Sequence, residues 1–485
     1  MHNGSGFASP YTARKDCERF LNLNREEEIM KQDTIAAISS GLTQAGIGII
    51  RISGPDSVAL ADRLFKMKKG TLSGQKSHTI HYGYFCGPEG KIDEVMAVLM
   101  RGPHSFTAED VVEIQCHGGS LIMKKILAAI LEAGARLAEP GEFTKRAFLN
   151  GRLDLSQAEA VMDLIQAQND LAVKSSLEQL QGSVSEKVRD LRSRILQEMA
   201  RIEASLDDPE HLSLDGYKEE FAKILKELLT DLRKLIDSAE EGRITAEGIR
   251  TVILGKPNAG KSSLLNQLLG EERAIVTDVA GTTRDTLEES IRLGGFSLRL
   301  IDTAGIRKTD DKVEKIGIDR ARKQAEQADL ILYVADSSEH LDENDRDIIS
   351  LLKGRKALVL MNKIDLEGAF DEGFLEEITG LPVIPLSAKD GTGLDLLKKA
   401  IEDLFDIGKW ASEGGVLITN LRHKQALIDA EKSLKLVEES LSMDMPEDFY
   451  TIDLMAAYTS LGTILGEEVG DDLVNEIFSR FCMGK

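Results

Sequence analysis

At 485 residues the chain exceeds what one ordinary hydrophobic core supports, so about three domains are expected. A composition of 42% hydrophobic and 29% charged residues is that of a soluble globular protein. The formal net charge of -22 excludes a protein that holds nucleic acid by bulk electrostatics and restricts any RNA contact to a local surface or one shared with a partner.

Residues 1–29 are polar and of mixed charge, which reads as a disordered leader or a misassigned start. A mitochondrial transit peptide is the weaker alternative, because Asp16, Glu18 and Glu26-Glu27-Glu28 are acidic. Residues 30–149 read as an α+β domain: apolar runs such as Ile47–Ile52 and Val95–Met100 are separated by Gly and Pro turns, with one helical stretch from Leu121 to Glu132. Long amphipathic helices follow over 150–247. Over 248–408 apolar strands alternate with helices (Thr251–Leu254, Ser297–Ile301, Leu330–Ala335, Ala357–Met361 and Val383–Leu386), the pattern of a parallel sheet covered on both faces. Helical periodicity returns over 409–485, with Lys424–Leu441 and Ile452–Phe481. The simplest architecture is a nucleotide-binding domain inserted into a helical domain whose halves pack across the insertion. No apolar run approaches the ~20 residues of a bilayer span, and no secretory segment is present, so a cytoplasmic protein without membrane contact is expected. Cys17, Cys86, Cys116 and Cys482 show no C-x-x-C spacing, which fits free thiols.

The chemistry begins at Gly255-Lys256-Pro257-Asn258-Ala259-Gly260-Lys261-Ser262-Ser263, between the run Thr251–Leu254 and a helix-patterned segment. A strand that delivers a Gly-rich turn to a helix N-terminus presents many backbone N–H groups to phosphate. Lys261 reaches the terminal phosphates, and the Ser262 hydroxyl suits Mg2+. Four motifs after it complete a guanine nucleotide site. Asp302-Thr303-Ala304-Gly305 ends a strand, with Asp302 holding a Mg2+ water and Gly305 sensing the terminal phosphate. Asn362-Lys363-Ile364-Asp365 follows the next-but-one strand; the Asp365 carboxylate accepts from the ring N–H and the exocyclic amine of guanine, a pairing adenine lacks. Ser387-Ala388-Lys389 offers backbone N–H to the guanine carbonyl. Within Gly281-Thr282-Thr283-Arg284-Asp285, Thr283 is the second Mg2+ hydroxyl. Ras-like proteins place a water-orienting Gln directly after Asp-x-x-Gly, but here that position is Ile306. A carboxylate of Thr309–Lys315 replaces it, or that stretch is a solvated switch loop; Arg284 and Arg307 are arginine-finger candidates, and Arg307 equally a surface charge. Arg51 reads as an exposed strand charge, Glu113 as a polar partner of His117, and His117 as a turn histidine satisfied by backbone.

From Met30 to Lys485 the chain resembles the MnmE (TrmE) family of tRNA-modifying GTPases. The resemblance rests on the phosphate loop, Thr277–Asp285, Asp302–Gly305, Pro140–Asn150 and the terminus Phe481-Cys482-Met483-Gly484-Lys485. It implies a multidomain α/β protein: an α+β folate-binding and dimerising N-terminal domain, a discontinuous all-α helical domain, and an inserted Ras-like P-loop GTPase domain. It further implies a homodimer that works with a flavoprotein of MnmG (GidA) type, which uses FAD and NADH, in a heterotetramer or larger complex. That complex modifies carbon 5 of the tRNA wobble uridine with a one-carbon unit from tetrahydrofolate. Residue by residue, Glu314 matches the water-positioning glutamate. Asn258, Thr277, Val279 and Thr282 match the K+ site, while Arg51, Glu113, Arg152 and Lys485 match the folate contacts. Two departures are noted: Ser39–Gly46 replaces a Pro- and Gly-rich turn, and Met483 stands where Ile or Leu is usual. The alternative class is a regulatory GTPase assisting ribosome assembly, which shares the motif order but calls for a basic RNA-binding appendage. A nucleotide-gated scaffold with negligible turnover is a third reading, suggested by Ile306 and opposed by Glu314.

Overall fold

The computed structural model describes residues 33–208, 216–271, 289–301, 317–407, 415–467, 469–482 and 484. The expected leader lies outside them. Contacts divide the chain into two compact units, one reaching Asp154 and including the residues from Gly470 onward, the other Leu155–Val469.

In the first unit a seven-stranded sheet has the order β3-β4-β5-β6-β2-β1-β7, from β1 (Ile35–Ile38), β2 (Ile47–Ser53), β3 (Phe65–Met67), β4 (Thr79–Gly87), β5 (Gly90–Met100), β6 (Val111–His117) and β7 (Arg136–Leu137). The period-two alternation of these strands sorts their side chains. Ile50, Ile52, Ala97, Leu99, Val112 and Ile114 point to one face and pack under α1 (Ser57–Leu64) and α2 (Ser120–Glu132) through Val58, Met123, Ile126 and Ile130. Their neighbours in sequence occupy the other face: Arg51 and Glu113 at its centre, and Ile80, Tyr82 and Met96 exposed towards the β4 side.

The last residues return to this unit. Helix Asp471–Ser479 packs on α3 (Glu142–Leu149): the Phe148 and Phe478 rings lie 6.2 Å apart, and Gly141 N–H donates to the Cys482 carbonyl at 3.3 Å. Gly484 has φ 89°, and a Cβ there would stand 2.3 Å from the Ile38 carbonyl oxygen. Residues 409–485 were expected as the second part of the helical domain; contacts group the segment from Gly470 on with the first unit. Its periodicity is helical, but a break at Gly466 (φ 85°) and the burial of Phe478 and Phe481 carry it to a different core.

The second unit opens with α4 (Leu155–Gln166), α5 (Asp170–Leu180), α6 (Ser183–Asp207) and α7 (Tyr217–Glu247). Strands β8 (Ile249–Leu254), β9 (Glu289–Leu293), β10 (Phe296–Leu300), β11 (Leu330–Asp336), β12 (Ala357–Asn362) and β13 (Val383–Pro385) follow. Among them lie helices α8 (Lys261–Glu271), α9 (Gly317–Gln327), α10 (Glu343–Leu352), α11 (Glu372–Thr379) and α12 (Leu394–Leu404). Helices α13 (Leu421–Ser442) and α14 (Asp448–Leu465) close it. Apolar residues three and four apart, such as Val188, Leu191 and Ile195 on α6 and Phe221, Leu225 and Leu228 on α7, meet Leu427 and Leu434 of α13 and Leu454 and Leu461 of α14 in one bundle core.

The inserted sheet has the order β13-β12-β11-β8-β10-β9. Strand β11 is buried throughout: Leu330, Leu332 and Val334 face one helical layer, Ile331, Tyr333 and Ala335 the other. The expected strands are present and parallel. Strand β9 was not expected. It pairs antiparallel with β10 across Gly294-Gly295, with Leu293 opposite Phe296, a two-residue turn whose Gly-Gly signal was visible in the sequence. Among the described residues no helix is long and apolar enough to cross a membrane.

Candidate functional site

Strand β8, buried apart from Arg250, is followed by Gly255, whose φ of 154° goes with a close approach: a Cβ there would lie 2.5 Å from the Val334 carbonyl oxygen. The chain then turns through Asn258 (φ 66°) and Gly260 (φ 99°) into α8, which opens with Lys261, Ser262 and Ser263. Gly260 admits no side chain, since a Cβ would fall 2.0 Å from Asn362 Nδ2. Lys261 Nζ donates to the carbonyls of Gly255, at 2.6 Å, and Lys256. Burial pushes its ammonium down to about 8 from the ordinary 10.5.

Asn362 joins the motifs. Its Nδ2 donates to the Ala259 carbonyl at 2.7 Å while its Oδ1 accepts from Ala388 N–H at 2.9 Å, so the phosphate loop and both guanine loops meet on one buried amide. Lys363 (φ 66°) is ion-paired with Asp336 at the end of β11. Ser387 Oγ donates to Asp365 Oδ1 at 3.0 Å, and the Lys389 ammonium stands 3.7 Å from Oδ2, which fixes the Asp365 carboxylate at the rim. The structure therefore brings together Asn258, Ala259, Gly260, Lys261, Ser262, Ser263, Asn362, Lys363, Asp365, Ser387, Ala388 and Lys389. Thr277, Val279, Thr282, Thr283, Arg284, Asp302, Thr303, Ala304, Gly305, Glu314 and Lys485 lie outside the described residues.

A second candidate site occupies the first unit. Arg51 and Glu113 are cross-strand partners, with Nε 2.8 Å from Oε1, and their side chains are only 13% and 17% exposed. The guanidinium lies 5.1 Å from the Phe106 ring centroid and 5.5 Å from that of Phe143. Arg152 covers the same Phe106 ring at 5.0 Å and donates to the Phe106 carbonyl at 3.0 Å; burial lowers its pKa. Arg51 Nη1 is buried and has no acceptor among the described residues.

Two expectations are corrected here. Arg51 is not an exposed strand charge. Glu113 does not pair with His117, because residues four apart on a strand share a face but stand ~13 Å apart. His117 instead pairs with Asp93, its Nδ1 2.7 Å from the carboxylate. Sequence reasoning did not single out Phe106 as a wall of this site. Its loop has no periodic signal, and the only hint was an aromatic among Gly, Pro and Ser.

The family profile of the MnmE helical domain matches residues 155–482, and that of the GTP-binding protein TrmE N-terminus matches 34–152. The tRNA modification GTPase MnmE of Lachnoclostridium phytofermentans is 54% identical over 458 residues, 94% of this chain and 100% of that protein. That of Enterococcus faecalis is 46% identical over 463 residues, 94% and 99% of the two chains. Among solved structures, Aquifex aeolicus Era is 32% identical over 39% of this chain and 67% of its own, at a TM-score of 0.26, which adds nothing to the assignment. Full-length similarity, two matching profiles and a phosphate loop joined to its guanine loops agree: the chain belongs to the MnmE family of tRNA modification GTPases.

Proposed function

We propose that this protein is a K+-dependent GTPase that acts in the cytoplasm as a homodimer. With a flavoprotein partner of MnmG type it installs an aminomethyl or carboxymethylaminomethyl group at carbon 5 of the tRNA wobble uridine, drawing the one-carbon unit from a tetrahydrofolate derivative. The observation that carries the reading beyond nucleotide binding is the Arg51 guanidinium. It lies between Phe106 and Phe143, is paired with Glu113 through Nε, and has a buried Nη1 donor without an acceptor among the described residues. A buried unpaired donor is costly unless a ligand supplies the acceptor. Flat aromatic and guanidinium surfaces beside a carboxylate suit a pterin-like ring. Arg51, Glu113 and Arg152, with Lys485, would hold the folate, which when bound supplies the one-carbon unit.

In the inserted domain Lys261 and the backbone N–H groups at the start of α8 bind and orient the phosphates, and Asp365 selects guanine. Ser262 and Thr283, with Asp302 through water, would hold Mg2+, which neutralises phosphate charge. Asn258 offers an amide oxygen of the hard kind an alkali cation takes. With Thr277, Val279 and Thr282 it would hold K+, which brings positive charge between the phosphates. Glu314 orients the attacking water in place of the absent Gln, and Arg284 stabilises developing charge. The exposed Ile80, Tyr82 and Met96 on the first unit's open sheet face support self-association.

The test is the initial rate of GTP hydrolysis in KCl and NaCl at matched ionic strength, repeated with Glu314→Ala, alongside binding of 5-formyltetrahydrofolate to wild type and Arg51→Ala. K+ stimulation lost in the first variant and folate binding lost in the second support the reading. Equal rates in both salts together with no folate binding would leave a regulatory GTPase.

A further inference from the structure

The phosphate loop carries a second lysine that the mechanism above does not use. Lys256 is 9% exposed, and its ammonium points away from the phosphate-binding N–H groups, into the start of α10. There it meets Asp345 Oδ2 at 2.8 Å and Asp342 Oδ2 at 3.5 Å. Asp345 is fully buried, and both its carboxylate oxygens are engaged: Oδ1 accepts from Tyr333 Oη at 2.8 Å, and Oδ2 accepts from Asp342 N–H at 3.0 Å as well as from Lys256. Asp342 in turn caps the helix by accepting from Asp345 N–H at 3.1 Å. Tyr333 is buried in the middle of β11. One buried carboxylate thus pins the central strand, the α10 N-terminus and the phosphate loop to each other.

The consequence for the loop lies in the Lys256 backbone. Its carbonyl accepts from Lys261 Nζ and from Ala259 N–H at 3.3 Å. Pro257 follows, with a fixed φ and no N–H, and confines the preceding residue to extended conformations. The side-chain anchor and Pro257 together set where the carbonyl points, and that carbonyl is one of the two on which Lys261 waits. Loop order paid for before ligand arrives appears as affinity.

We infer that Lys256 is a positioning residue for guanine nucleotide binding: its ion pair with Asp345 holds the phosphate loop, and through the Lys256 carbonyl the Lys261 ammonium, in the conformation that receives phosphate. This rests on the GTP-binding reading of the loop.

The test uses the full-length protein, titrated with N-methylanthraniloyl-GDP, and GTP turnover at saturating GTP. Lys256→Met weakens binding by about tenfold or more while changing the saturated turnover by less than about threefold, and Lys256→Arg binds within about threefold of wild type. Lys256→Met/Asp345→Asn, which leaves no buried charge unpaired, is no weaker than Lys256→Met alone, because the two side chains act as one unit. Circular dichroism establishes that each variant is folded. A purely structural ion pair would lower the melting temperature and leave the affinity of the folded protein unchanged; that result, or strict additivity of the two substitutions, overturns the inference. Wild-type protein without affinity for the probe would overturn the GTP reading and the inference with it, and is distinguished by failing before any variant is compared.

Discussion

The Lys261 ammonium gives the nucleotide site a pH dependence that can be worked out in advance. In the nucleotide-free fold burial lowers its pKa from 10.5 to about 8, since two carbonyls solvate it less well than water. A phosphate restores the charged form, so nucleotide binding takes up a proton whenever Lys261 starts neutral. The expected uptake is about 0.1 proton at pH 7, about 0.5 at pH 8 and about 0.75 at pH 8.5, and affinity falls about fourfold from pH 7 to 8.5. The sign for stability is the reverse. The folded pKa lies below the unfolded one, so the penalty for burying the ammonium is fully present below about pH 8 and fades as pH rises towards 10.5, a span worth roughly 3 kcal/mol to the nucleotide-free protein. Titration calorimetry of GDP binding at pH 7 and 8.5, in pairs of buffers with different ionisation enthalpies, reads the proton count directly. Working at or below pH 8.5 keeps guanine itself un-ionised. An uptake under about 0.2 proton at pH 8.5 would refute the account of Lys261 as a buried, phosphate-rescued ammonium.

Exchange of Asp365 for Asn reverses the donor and acceptor pattern offered to the base, so GDP binding weakens by at least about a hundredfold and xanthosine diphosphate becomes the better competitor in a displacement titration. In the helical bundle, burial raises the Glu159 carboxyl, but His423 at 2.7 Å and the Arg422 fork outweigh it and hold it at about 2. Because the folded pKa is depressed from 4.5, this stabilisation is complete above that pH and is lost as pH falls from 4.5 towards 2. Glu159→Ala at neutral pH strands Arg422 and costs about 3–5 kcal/mol, measured by urea unfolding followed by far-UV circular dichroism. Gly242→Ala, which in an open helix would stabilise by about 1 kcal/mol, here puts a Cβ 2.3 Å from the Ile418 carbonyl oxygen and lowers the urea midpoint in the same assay.

What the sequence made legible was what is local. The phosphate loop, its strand and its helix form one continuous stretch from Ile249 to Glu271, and each requirement leaves its own mark: Gly255 and Gly260 where backbones approach, Lys261 and Ser262 at the helix start. What escaped was long-range pairing. The bond from Asn362 to Ala259 and the ion pair from Lys256 to Asp345 join segments far apart in the chain, and nothing within either segment encodes the other. The cross-strand choice of Glu113 for Arg51 over His117 depends on the register of β2 against β6, two strands far apart in the chain that no short turn joins. The surface on which the C-terminal helix packs was illegible for a related reason. Its apolar face predicts burial, but a 3.6-residue period does not name the surface that covers it.

The insertion of the nucleotide domain is accommodated by a clasp, not a tether. Helix α7 serves two cores, with Phe221 to Ala239 in the bundle and Ile244 under the inserted sheet. The returning chain crosses it backbone to backbone at Gly242, where Ser238 Oγ accepts from Ile418 N–H at 3.3 Å. Just beyond, Arg243 and Arg250 share Asp329 at 2.9 Å, so the start of β8 and the turn into β11 are fixed to the helix that precedes them. Asn169 caps α5 by accepting from Ala172 N–H at 2.8 Å, and its amide N–H2 donates to the Thr245 carbonyl and to Ser297 Oγ on β10. Arg292 on β9 donates to the Gln168 carbonyl at 2.7 Å. The β9–β10 hairpin is therefore tied to the start of α5 by the Asn169 side chain on β10 and by its own Arg292 on β9. In sequence that hairpin separates Thr277–Asp285, expected to supply metal ligands, from Asp302–Gly305, expected to sense the terminal phosphate. The Asn169 amide and the Asp329 carboxylate thus tie α5 and α7 to β10 and β8 at the entry to the insertion.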